Sequence, residues 1–127
     1  MDRSLESLAE RITGRAADLE SALCHWLGLV AEFDRREGWA AEGCRSCSQW
    51  IAWRCGLSNL AARERVRIAR RLEELPVVRE AFANADLTYS KVRAITRIDR
   101  LDAARERELV ELARNTTAAQ LDRTVAA

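Results

Sequence analysis

Residues Gly43–Leu72 read GCRSCSQWIAWRCGLSNLAARERVRIARRL, and the fold is decided within them. Ahead of a tight Gly56-Leu57-Ser58 break, Trp50, Ile51, Ala52, Trp53 and Cys55 stand at helical spacing. Ser46 is placed to cap that helix, expected over Cys47–Cys55. Ser58 is placed to cap the next, because a hydroxyl accepts from an orphan backbone N–H of the first turn. Two helices joined by a short glycine-containing turn form a helix-turn-helix-like pair. The second helix is expected from Asn59 to about Glu74, where Pro76 stops it. At 100° per residue, Ala61, Ala62, Val66, Ile68, Ala69, Leu72 and Leu75 fill one half of it. Arg63, Arg67, Arg70 and Arg71 fill the other, with Glu64 and Glu74 among them. Arg65 alone falls among the apolar residues, where an unpaired charge is costly. It is therefore expected to reach a carboxylate or backbone carbonyls, or to snorkel out along its stem, with a structural ion pair the favoured role.

Three long motifs in order, GCRSCSQWIAWRCGLS, AARERVRIARRLEELP and AFANADLTYSKVRAITR, carry a family resemblance. From about Trp39 onward the chain resembles the N-terminal region of the 13E12-repeat proteins of actinobacteria. In those, a helical domain of unknown function usually precedes an HNH endonuclease domain. The resemblance implies an all-helical domain and an association with such nucleases. It implies no nuclease activity for these residues.

Upstream, Leu5, Ile12, Leu19, Trp26 and Phe33 recur every seven residues, flanked by Leu8, Leu23, Leu29 and Val30. This stripe predicts a helix from about Ser4 to Arg36, roughly 45–50 Å long at about 1.5 Å per residue. Either it breaks at Gly14 or Gly28, or a second copy buries part of the stripe. Packing within one chain and a dimer seam both satisfy the pattern. Glu37-Gly38 ends the helix, with Gly38 suited to a left-handed C-cap. Trp39 to Arg45 is a linker anchored by Trp39. Trp50 and Trp53, three residues apart, are expected to pack into the domain; stacking on bases is their functional alternative.

Downstream, Val77–Asn84 forms a short helix with Pro76 in its first turn. A turn at Ala85-Asp86-Leu87 leads to Thr88, which caps a helix from Tyr89 to Ile98. The resemblance favours glycine at Ala85, so Asn84 is the candidate left-handed residue. Ser90, Arg93 and Arg97 face outward as a second basic strip. Asp102 caps a helix through Arg114, and Thr117 caps a last one that meets no closing residue. The expected fold is all-α: an orthogonal multi-helix bundle with a long N-terminal helix and helix-turn-helix-like pairs. Residues 1–127 read as one domain, with 1–38 the long helix and a candidate dimerising element. Residues 39–127 form a core expected to be the front portion of something longer.

Composition narrows the function. Hydrophobic residues make up 48% and charged residues 32%, which excludes a disordered chain. A formal net charge of +1 provides no global field toward nucleic acid, so any such binding needs a local patch. The aliphatic runs are too short and too charged to span a membrane, and MDRSLESLAER lacks the apolar core of a signal peptide. Cytoplasm is the default location. Cys44-x-x-Cys47 has zinc-knuckle spacing, with Cys55, Cys24 and His25 as conceivable partners. Without a second CxxC or an HxxxH, Cys47 and Cys55 read instead as small buried hydrophobes, and no metal or other cofactor is expected.

An HNH site needs several histidines, and the chain has one, so no catalytic residue is assigned. Two non-enzymatic classes remain. The first is an accessory or assembly domain that dimerises or packs on a downstream catalytic domain. The second is a DNA-binding module in which Asn59 approaches a base edge while Arg63, Arg67, Arg70, Arg71, Arg93 and Arg97 meet phosphates.

Overall fold

The structure, a computed structural model describing residues 2–126, is all-helical, with no strand among the described residues. Helix α1 spans Arg3–Arg35, and a 3₁₀ turn covers Gly38–Glu42. Then come α2 (Cys47–Arg54), α3 (Asn59–Leu72), α4 (Pro76–Ala83) and α5 (Tyr89–Ile95). Helices α6 (Ala103–Arg114) and α7 (Ala118–Ala126) complete it; the end of the last predicted helix, Ala127, lies outside the described residues. No helix among the described residues is long and apolar enough to cross a membrane.

Local capping chemistry sets most of the boundaries. The Ser46 hydroxyl accepts from the Gln49 N–H and the Ser58 hydroxyl from Ala61, both at 3.1 Å. Asp102 accepts from Arg105 at 2.7 Å, and Thr88 accepts from Lys91 at a longer 3.4 Å. Thr117 and Gln120 exchange bonds reciprocally, each satisfying the other's backbone N–H, as a capping box requires. Each such cap contributes about 1 kcal/mol.

The core forms where the second half of α1 meets α3 and α4, with α6 against α4 and α7 against α5. Leu27, Ile51, Ile68, Leu75, Phe82, Ile95, Leu109 and Leu121 are its largest fully buried side chains. Glycine does not break α1 at position 14 or 28; the helix runs unbroken for 33 residues. Its first half has no core partner. From Asp2 to Leu19 no residue is buried, and Leu5, Leu8, Ile12 and Leu19 are 48–71% exposed. Thus the chain itself begins to cover the stripe only from about Leu23 onward, and even there leaves Leu29 exposed.

Four local expectations need correction. The left-handed residue after α1 is Glu37 (φ 53°), not Gly38. Glycine is required at 38 for a different reason: a Cβ there would sit 2.3 Å from the Phe33 ring. At the α4–α5 corner the left-handed residue is Ala85 itself (φ 61°), while Asn84 stays at φ −85°. A left-handed alanine costs about 1–2 kcal/mol, partly offset in a glycine variant by unfolded-chain entropy. Ala85→Gly is therefore expected to stabilise the protein by about 0.5–1 kcal/mol, seen as a raised urea midpoint; a lowered midpoint would show that the methyl group's packing matters more than backbone strain. Third, Cys47 is buried as expected, but Cys55 is exposed. Fourth, α5 stops at Ile95, short of the predicted Ile98.

Candidate functional site

The arginines of α3 recur every three or four residues, which puts several on one edge of the helix. That edge faces carboxylates and carbonyls of the chain itself. Arg67 donates to both carboxylate oxygens of Glu64, at 2.7 and 3.1 Å, and to the Thr96 carbonyl at 3.1 Å. Arg93 of α5 reaches the same carboxylate at 3.1 Å. Hydrogen bonds from Arg67 and Arg93 hold the Glu64 carboxyl down at about 2, with burial opposing them. A depressed carboxylate stabilises the native state fully above its ordinary pKa. That contribution fades as pH falls from about 4.5 toward about 2.

Arg70 forms a bidentate pair with Asp34 of α1, at 2.6 and 3.1 Å. Asp34's hydrogen bond raises the Arg70 pKa further, keeping the guanidinium charged. Arg71 donates to the Ile98 carbonyl at 2.6 Å and more weakly to Thr96 at 3.4 Å, while pairing with Glu74. Of the seven residues proposed for nucleic acid, four arginines (67, 70, 71 and 93) therefore have acidic partners within the chain. Asn59, Arg63 and Arg97 are exposed and make no side-chain hydrogen bond or ion pair among the described residues. Arg67, Arg71 and Arg97 do share one shallow hollow, together with Glu74 and Asp99.

Arg65 does face the protein, but it meets no carboxylate among the described residues. Its guanidinium lies over the Tyr89 ring, 4.3 Å from the centroid. The apolar half of α3 abuts an aromatic face there, and a cation–π contact needs no counter-charge. Trp53, expected to be packed, is 61% exposed. With only eight residues, α2 turns Trp50 toward α1 and leaves Trp53 outside. The Arg54 guanidinium stands 5.6 Å from the Trp50 ring and 5.3 Å from the Trp53 ring. Glu42 holds that arginine at 2.8 Å and accepts from the Trp50 indole at 3.1 Å.

Among the described residues, no three His, Cys, Asp or Glu side chains gather so as to hold a metal ion. Burial pushes the Cys47 thiol up to about 11, so it is a protonated, packed group at neutral pH.

One concave feature was not anticipated. Trp26, Leu29, Val30, Phe33, Trp50 and Ile51 line a mostly apolar groove of about 600 Å³, to which Glu32, Arg36, Gly38 and Cys55 also contribute. Phe33 and Trp50 form its wall, with ring centroids 4.4 Å apart. The seven-residue repeat had already placed Trp26 and Phe33 on the stripe of α1. Nothing in the repeat shows that α2 would rise beside them and turn a stripe into a groove. Three contacts set that geometry from the other side of α1. Glu20 accepts from the Tyr89 N–H at 2.8 Å, Ser21 donates to the Ala83 carbonyl at 2.8 Å, and the Cys24 thiol reaches the Arg79 carbonyl. They pin α1 across the α4–α5 corner and leave its seam free.

Over residues 3–127 the chain matches the family described as a domain of unknown function, DUF222, and it belongs to that family. No curated protein and no solved structure matches it.

Proposed function

We propose that this DUF222 domain is a non-catalytic accessory and assembly domain of an HNH-endonuclease-type protein, and that its working surface is the apolar seam of α1. The observation that carries the reading is the exposure of Leu5, Leu8, Ile12 and Leu19 along one line of a helix half that nothing among the described residues covers. Contiguous exposed apolar surface of this kind marks interaction sites. The nuclease association is supported by the order of the three motifs shared with 13E12-repeat proteins. The DNA-binding reading has lost most of its cations: phosphate contacts need arginines free to release counterions, and Arg67, Arg70, Arg71 and Arg93 are engaged by Glu64, Asp34 and Glu74.

A duplex-DNA titration by fluorescence anisotropy, between about 50 and 200 mM salt, separates the two classes. The expected result is weak binding with a shallow salt slope, unaltered by Arg63→Glu and Arg97→Glu. The chain is also expected not to cut DNA with magnesium, manganese or zinc. Tight binding with a steep slope that those two substitutions abolish would replace assembly by DNA recognition.

A further inference from the structure

We infer that the groove between α1 and α2 is filled by the first turns of α1 from a second copy of this chain, the two helices running antiparallel. The inference rests on the assembly reading above and specifies its partner and geometry. Leu5, Leu8 and Ile12 form a convex ridge, while Trp26, Leu29 and Phe33 line the groove, and two pairs across the sets, Leu5 with Phe33 and Ile12 with Trp26, are equidistant in sequence from Leu19. All six lie on one side of a single continuous helix. A two-fold axis at Leu19 therefore brings each ridge onto the other copy's groove, Leu5 toward Phe33 and Ile12 toward Trp26. The contact is isologous and closes on itself.

A parallel pair fits less well on two counts. It would set groove against groove, leaving both unfilled. It would also set Arg15, which sits in the stripe between Ile12 and Leu19, against its own copy. Around an antiparallel axis at Leu19, Arg15 instead lies opposite the other copy's Leu23, well away from its own counterpart. Antiparallel helices also oppose their macrodipoles favourably. Two helices about 50 Å long and about 10 Å wide, side by side, cover on the order of 1000 Å² in total, the lower limit for a specific interface.

Sedimentation equilibrium on the full chain and on two exposed-site variants, Ile12→Asp and Leu29→Lys, tests this. Wild type is expected to dimerise with a Kd of about 10 µM or tighter, and each variant to be at least about tenfold weaker with an unchanged thermal melt. Mixing the two variants is expected to restore a dimer. One ridge–groove contact is then wild type, and the other sets the introduced carboxylate beside the introduced ammonium. In a parallel pair each substitution faces its native counterpart, and mixing restores nothing. A wild-type chain monomeric throughout, or variants that fail to complement, would overturn the inference. Neither outcome touches the assembly reading, which stands or falls with the DNA titration.

Discussion

Glu106→Ala is expected to be the most destabilising single substitution on the α6 surface, at about 3 kcal/mol. Glu106 is only 4% exposed, and one of its carboxylate oxygens accepts from the Val77 and Val78 N–H groups at 2.7 and 2.9 Å. These are the donors of the first turn of α4, which starts with Leu75 at the capping position and Pro76 as its first residue. Leucine has no oxygen to offer, so the cap comes from a helix about thirty residues further along. Removing it orphans one buried and one part-buried donor and withdraws a negative charge from the positive end of the α4 dipole. Glu106→Gln keeps an acceptor and loses the charge, so a cost of about 1–2 kcal/mol is expected. Urea midpoints of the two variants, with amide exchange at Val77 and Val78, measure the effect. A near-native midpoint for the alanine variant would mean that water caps α4 unaided.

What could be read in the sequence divides by range. The caps at Ser46, Ser58, Asp102 and Thr117 depend on hydrogen bonds spanning three residues, and they form where the side chains predict. Glu106 follows a different rule. In AARERELVELAR it is indistinguishable from Glu108 and Glu111, which face solvent. The single local clue is negative: a helix beginning Leu-Pro has no cap of its own. Trp53 failed for a related reason, since spacing places it near Trp50 on the helix but does not say how wide the neighbouring surface is. The stripe on α1 was legible along its whole length, but a periodicity cannot tell a seam filled from within from one left open. The basic edge of α3 was read as a free cationic face although Glu64 stands on it: spacing does not show that Arg67 and Arg93 close on that carboxylate, and Asp34 comes from another helix.

An arginine of the supposed outer face therefore matters more to the fold than the inward-facing Arg65. Arg71→Ala is expected to cost about 3 kcal/mol, and Arg65→Ala only about 1 kcal/mol. The Arg71 side chain is 19% exposed and holds the Thr96 and Ile98 carbonyls, the acceptors left over where α5 ends at Ile95. Charge-assisted bonds to such carbonyls are worth about 1.5–3 kcal/mol each, and among the described residues no other side chain donates to the Ile98 carbonyl. Arg67 supplies a second bond to Thr96, so the loss there is partial. Arg71→Lys should recover less than half, because one ammonium cannot span two carbonyls that a planar fork reaches. Arg65 contributes chiefly its stack on Tyr89, a contact of about 0.5–1 kcal/mol at a half-buried site. Paired urea melts under identical conditions decide the order. Equal midpoints, or a greater loss at Arg65, would return Arg71 to the surface and give back to DNA a cation that the fold otherwise uses to join α3 to the end of α5.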